Sequence, residues 1–156
     1  MVWAGVTSCG KKTPLIFIEK GVKINQFVYR DMLADKVLPW LESQEWPNKY
    51  VFQQDGAPSH TANMVQQWCQ DNFQRFWPKS FWPPSSPDLN VMDFAIWGIL
   101  ARKACEKPHA NVDSLKRSLK KAWADLDEQT IRDCCANAHK RLEAVVEAEG
   151  GYIEKK

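Results

Sequence analysis

No apolar run in this chain approaches the length needed to cross a bilayer. Its first residues, Met1-Val2-Trp3-Ala4-Gly5-Val6, lack the basic leader and apolar core of a secretory signal. A phosphate-cradling glycine loop is absent, and so is a Gly-x-Ser-x-Gly elbow with a placed base. Nucleotide cradling and serine or cysteine nucleophilic catalysis are thereby left without a motif. Close Cys-x2-Cys pairs are missing as well. Cys105-x3-His109 and Cys135-x3-His139 offer looser spacings, but Pro108 interrupts the first and Cys134 and Cys135 fall on an apolar helix face. Cysteines Cys9, Cys69, Cys105, Cys134 and Cys135 form an odd set without framework spacing, so a reducing, intracellular and soluble setting is expected. Repeats and low-complexity linkers are also absent, which leaves one folded unit over residues 1–156 as the expectation.

What is present suits a globular chain: 26% charged and 44% hydrophobic residues over 156 positions, enough to bury a real core. Net charge is only +2, but it is unevenly spread. Residues 101–121 carry seven basic side chains against two acidic ones. Such a block can follow a phosphate backbone or can simply be a solvated helix face. Five of the eight tryptophans fall within residues 40–82, which predicts a packed aromatic core with some aromatic surface.

Local patterns predict strand, strand, helix, strand, helix, strand and then three helices. Met1–Ser8 and Thr13–Glu19 read as a hairpin around Cys9-Gly10-Lys11-Lys12. Asn25 caps a helix to about Ser43, with Phe27, Val28, Met32, Leu33, Val37, Leu38 and Leu41 on its apolar face. Lys49–Gln53 and a stretch within Gln74–Phe81 read as short strands, and the helix between them starts at Ser59 or Thr61. Trp82–Asn90, with Pro83, Pro84 and Pro87, must be a loop. Helices follow over about 91–103, 113–126 and 127–150, the last with Ile131, Cys134, Cys135, Ala138, Leu142, Val145 and Val146 inward. The alternation predicts an α/β fold with a helical C-terminal tail.

Two stretches carry candidate chemistry. In Gln53-Gln54-Asp55-Gly56-Ala57-Pro58-Ser59-His60-Thr61, Asp55 ends a buried strand, where α/β sheets place ligand-binding groups. Asp-Gly is equally good turn chemistry. In Trp82-Pro83-Pro84-Ser85-Ser86-Pro87-Asp88-Leu89-Asn90-Val91-Met92-Asp93, either Asp88 or Asp93 can be a ligand, a cap or a carboxylate set against a helix dipole. His60 can orient a phosphate or water, or merely neighbour a cap. Rigid carboxylates at the edge of regular structure are what hard divalent cations require.

Taken together, these residues resemble the mariner-type transposases, part of a larger superfamily with three catalytic carboxylates on an RNase H-like fold. The resemblance covers nearly the whole chain. Gln53-Gln54-Asp55 with Ala57-Pro58 and His60-Thr61 is similar to the family's second acidic motif. Ser86-Pro87-Asp88-Leu89-Asn90 followed by Asp93 is similar to the third, which selects Asp93 over Asp88. Met1-Val2-Trp3 and the hairpin resemble the second and third strands, and Arg141–Val146 with Gly150-Gly151-Tyr152 resembles the closing segment. The third acidic residue is Asp where many relatives carry Glu, and 37 residues separate it from Asp55.

The resemblance implies an RNase H-like mixed sheet flanked by helices. It also implies DNA cleavage and strand transfer by metal-dependent phosphoryl transfer, with Asp55 and Asp93 as catalytic residues ligating Mg²⁺ or Mn²⁺. His60 and Asn90 are then supporting or phosphate contacts, and Arg102, Lys103, Lys107, Lys116 and Lys120 are DNA contacts. Transposon ends, target DNA and a second copy of the chain are the implied partners, in the nucleus. In the family the first Asp lies on a strand preceding Met-Val-Trp, beyond an N-terminal helix-turn-helix region. Upstream of Asp55 the chain offers only Asp31 and Asp35, both in a predicted helix. The alternative expectation is therefore a catalytically inactive remnant or domesticated fragment with residual DNA or protein binding.

Overall fold

The computed structural model describes residues 1–151 and 153; Tyr152 of the closing segment lies outside the described residues. The chain divides into two compact units, residues 1–18 with 87–156, and residues 19–86.

The first unit opens with a hairpin. Strand β1 (Val2–Trp3) pairs antiparallel with β2 (Ile16–Phe17), in the register Val2 to Phe17 and Trp3 to Ile16, and a separate bridge joins Val6 to Lys12. The ladder is shorter than the apolar pattern predicts, because Pro14 has no N–H to donate and breaks the second strand. Thr13 fills the gap: its N–H donates to the Gly5 carbonyl and its hydroxyl accepts from the Gly5 N–H, both at 2.9 Å. The hairpin tip turns at Gly10, whose φ of +94° disfavours any side chain. A Cβ there would also lie 2.9 Å from the Glu128 carbonyl, so glycine lets the tip close onto the helix that begins at Glu128.

Helix α5 (Trp97–Ala104), preceded by a π turn at Met92–Ile96, packs against α6 (Val112–Ala124), and α7 (Glu128–Glu147) follows. Asn111 caps α6 by accepting from the Ser114 N–H, while the Ser114 side chain reaches back, so the cap falls before the predicted Asp113. Ile96, Leu100, Ala104, Ala122, Trp123, Leu126 and Ile131 form the core with Ala4 of the hairpin. Trp123 brings its one polar atom in paired, Nε1 donating 2.7 Å to the Thr13 carbonyl. Lys12 closes the C-terminal end of α6 by donating to the carbonyls of Trp123, Ala124 and Leu126. Partial burial pushes its ammonium pKa down, opposed by Asp125, Asp127 and Glu128. The far half of α7 departs from expectation: Val146 is 77% exposed and Leu142 is exposed too, so their apolar stripe is solvated over that stretch.

In the second unit, α1 (Gln26–Met32) runs through a π turn (Leu33–Val37) into α2 (Leu38–Glu42). Its buried residues are Tyr29, Met32, Leu33, Val37 and Leu41. Spacings of four from Leu33 onward would drift by roughly 40° per step around an α-helix, and the wider π turn absorbs part of that drift. The same turn precedes Pro39, which cannot donate a helical bond. Phe27, predicted on the apolar face, is exposed, and Tyr29 takes the inward position.

Helix α3 (Pro58–Thr61) and α4 (Asn63–Asn72) replace the single predicted helix, separated by an extended Ala62. Both pack on α1. The predicted strands at 49–53 and 74–81 reduce to one parallel bridge, Phe52 to Phe76, with two backbone bonds through Phe52. Aromatic packing holds this region instead. Phe52 stacks on Phe73 at 4.3 Å, and Trp46, Tyr50 and Trp68 extend the cluster, as the tryptophan crowding predicts. Trp77 and Phe81 pair on the surface. Among the described residues no helix is long and apolar enough to cross a membrane.

Two outcomes test this account. Lys12→Met strips the carbonyls at the end of α6 of their donor, and urea denaturation is expected to show a loss of about 1–3 kcal/mol. Asp127 caps α7 by accepting from the Thr130 N–H at 2.8 Å and the Thr130 hydroxyl at 2.7 Å, and these bonds hold its carboxyl below the ordinary value. A depressed folded pKa contributes stability above the unfolded value of about 3.9 and loses it as pH falls through the folded value. Asp127→Asn should therefore flatten part of the acid limb of stability below about pH 4, read from urea midpoints against pH.

Candidate functional site

Asp55 lies just beyond the bridged residue Phe52, where the chain leaves the aromatic cluster and turns into α3. Its Oδ1 accepts from the Ala57 N–H at 3.0 Å, which closes a tight turn over Gly56. The same oxygen lies 2.5 Å from His60 Nδ1, a close approach in which the buried ring nitrogen finds no in-line hydrogen bond. The His60 contact, with help from Ala57, holds the Asp55 carboxyl below the usual range against the opposing effect of its half-burial. Among the described residues no contact falls on Oδ2, and 43% of the side chain stays exposed. An ionised carboxylate with one oxygen fixed and the other open is a fit ligand for a hard divalent cation.

Three residues that the sequence reading gave no role hold His60 in place. Tyr29 is 2% exposed and stacks on the His60 ring with centroids 4.1 Å apart. Its hydroxyl donates 2.8 Å to Gln54 Oε1, and Gln54 Nε2 donates 3.0 Å to the His60 carbonyl. Gln66 Nε2 reaches that carbonyl at 2.9 Å. A signal for Tyr29 existed in the spacing of Tyr29, Met32 and Leu33, one turn apart on a helix.

Asp93 is exposed in the first turn of the π segment Met92–Ile96. Short π segments occur frequently at functional sites. The backbone supplies its setting: the Asn90 carbonyl accepts from the N–H groups of Asp93 at 2.9 Å and Phe94 at 3.0 Å, and Asn90 Oδ1 accepts from Met92 at 3.3 Å. Asn90 thus starts the turn that carries Asp93. Arg141 of α7 braces the segment, donating 3.0 Å to the Asp88 carbonyl with its guanidinium 4.4 Å from the Phe94 ring centroid. Asp31 takes the Arg30 guanidinium, and Asp35 is exposed in the first π turn.

The basic residues divide. Lys116 and Lys120 converge over the Phe17 ring at 5.8 and 5.6 Å, whereas Arg102 and Lys103 are exposed on the last turn of α5 and Lys107 on the loop after it. His109 Nε2 and the Ser118 hydroxyl share the Ala104 carbonyl, and His139 lies 3.4 Å from Glu143. All five cysteines are free, and burial pushes the Cys69 thiol up to about 12 and the Cys135 thiol to about 11. Neither is a thiolate nucleophile at neutral pH. Among the described residues no group of three or more His, Cys, Asp or Glu side chains gathers to hold a metal ion.

The fold is one already known. The catalytic domain of the Mos1 transposase, a mariner element of Drosophila mauritiana, matches 98% of this chain and 83% of its own with a TM-score of 0.77 at 21% identity. The Mos1 paired-end complex with Mn matches 98% of this chain and 44% of its own with a TM-score of 0.81 at 23% identity. The expected RNase H-like class is borne out, with shorter ladders than predicted. The chain belongs to the DDE superfamily endonuclease family, whose sequence model matches residues 4–116 and so takes in both acidic motifs. It is 31% identical over 150 residues to the Transposable element Tc1 transposase of Caenorhabditis elegans, across 96% of this chain and 52% of that protein. The chain spans about half the length of the curated relatives it matches.

Arg141→Met removes both the bond to the Asp88 carbonyl and the ring contact. Amide hydrogen exchange at Asp93 and Phe94 is expected to quicken, with a stability loss of about 1 kcal/mol. Arg141→Lys should recover little, because an ammonium lacks the planar face that lies over Phe94.

Proposed function

We propose that this chain, residues 1–156, is part of one transposase catalytic domain that cleaves and transfers DNA strands by metal-dependent phosphoryl transfer. Asp55 and Asp93 are its catalytic carboxylates and would hold Mg²⁺ or Mn²⁺. The observation that carries the reading is the Asp55 carboxylate, fixed at Oδ1 and open at Oδ2, inside a stretch matched by an endonuclease family. When bound, such a cation stabilises negative charge on a phosphodiester and lowers the pKa of a bound water. The chain's own task is to keep ionised oxygens aimed and rigid at that place. His60 does so for Asp55, and the Asn90 carbonyl does so for the turn bearing Asp93.

Transposon ends and target DNA are the proposed substrates, with Arg102, Lys103 and Lys107 as phosphate contacts and Lys116 and Lys120 as weaker ones, their charge shared with Phe17. Support for DNA and for pairing of two copies comes from the Mos1 relatives solved as paired-end and strand-transfer complexes. A nuclear setting follows from such a substrate.

One observation favours the second reading, an inactive remnant with residual DNA or protein binding: among the described residues no three His, Cys, Asp or Glu side chains gather to hold a metal ion. The two readings separate in a nicking assay on supercoiled DNA with Mg²⁺ or Mn²⁺. Residues 1–156 alone should bind DNA without appreciable cleavage. Under the transposase reading, a version extended upstream to include a further Asp-bearing strand nicks DNA, and Asp55→Ala or Asp93→Ala each abolishes that nicking. Nicking indifferent to both substitutions would sink the assignment, and an inert extended chain would favour the remnant.

A further inference from the structure

Asp55 is steered from a distance. His60, which touches it, is held in two ways. Its ring lies against the buried Tyr29 ring, 4.1 Å between centroids and 28° between planes. Its backbone carbonyl accepts from both Gln54 at 3.0 Å and Gln66 at 2.9 Å. Gln54 can make its bond only with its amide nitrogen turned toward His60, and the Tyr29 hydroxyl, donating 2.8 Å to Gln54 Oε1, sets that orientation. Gln54 also directly precedes Asp55 in the chain. Two routes therefore run from Tyr29 to one carboxylate, one through the imidazole plane and one through the Gln54 amide.

We propose that Tyr29 is the positioning residue for Asp55, fixing the carboxylate through His60 and Gln54 so that Oδ1 is held and Oδ2 is presented outward. The proposal deepens the catalytic reading, since it assigns what aims the ligand that reading needs. The residue type matters for each route. Phenylalanine keeps the stack on His60 and loses the donor to Gln54; leucine loses both. An imidazole ring turns about a broad, roughly two-fold torsion, and only a flat partner restrains its plane.

The full chain carrying Tyr29→Phe or Tyr29→Leu tests this with two readouts. The first is amide hydrogen exchange at Ala57, whose N–H donates to Asp55 Oδ1, with the Phe52 N–H, bonded to the Arg75 carbonyl, as a reporter of the unit's fold. The second is paramagnetic broadening of signals around Asp55 during titration with Mn²⁺ alone. Tyr29→Phe should speed exchange at Ala57 and weaken Mn²⁺ binding by about 3–10-fold, the range of one lost hydrogen bond, while Phe52 stays protected. Tyr29→Leu should weaken Mn²⁺ binding by about 10–100-fold. Unchanged Ala57 exchange in Tyr29→Phe overturns the proposal. So does a parallel rise at Ala57 and Phe52, which would mark Tyr29 as merely structural. Should Asp55→Asn bind Mn²⁺ as well as the unsubstituted chain, the catalytic reading fails, and Ala57 exchange still decides the role of Tyr29. Where Tyr29→Leu does not fold, Tyr29→Phe carries the test.

Discussion

A carboxylate that is to meet a cation must be restrained at one oxygen and left open at the other. Restrain neither, and ordering it costs rotamer entropy at each encounter. Occupy both, and no lone pairs remain to offer. Asp55 satisfies this constraint through His60 and the Ala57 N–H at Oδ1. Much of the second unit serves that arrangement: α1 supplies the Tyr29 ring, α4 supplies Gln66, and the aromatic cluster around Phe52 and Phe73 anchors the chain from which Asp55 emerges. The His60 contact also keeps the group ionised despite its half-burial.

Asp93 stands on a turn held by backbone bonds. The Asn90 carbonyl takes two N–H groups, Asn90 Oδ1 takes a third, and Arg141 ties the preceding loop to α7. The first π turn lies where buried residues fall at intervals of four, Leu33, Val37 and Leu41, and the second, Met92–Ile96, ends at buried Ile96. In the second case the wide turn carries an exposed acid on one side while Ile96 stays fully buried on the other. Local geometry here serves the core and the candidate ligand together.

Much of this was legible in the sequence, for identifiable reasons. Asp-Gly-Ala-Pro and the proline-rich loop are local chemistry, and local chemistry survives folding, so the turns at Asp55 and before Asp93 lie where composition predicts. The helices after residue 110 were legible because their apolar period is regular and Asp127 is a strong cap, although the cap of the first, Asn111, falls two residues before the expected start. The strands at 49–53 and 74–81 were overestimated, since Tyr50, Phe52 and Phe76 read as strand formers but spend their surface on ring packing. The inward face of Tyr29 was signalled by its spacing to Met32 and Leu33, but its place at the site was not. Phe27 offers the same apolar signal two positions earlier, and only tertiary packing turns one outward and brings the other to Gln54, 25 residues away.

The charge pattern carries one last consequence for the proposed function. Under that function two acidic motifs would meet a polyanionic substrate in a chain whose net charge is only +2, and carboxylates repel phosphate until a cation neutralises them. The compensating basic residues are concentrated in 101–121, and two of them, Lys116 and Lys120, already share their charge with the Phe17 face. Under the proposed function, basic side chains alone would give modest, salt-sensitive attraction to DNA. Strong engagement requires the acidic motifs to be neutralised, so that holding Asp55 open for a cation and holding DNA become parts of one electrostatic problem.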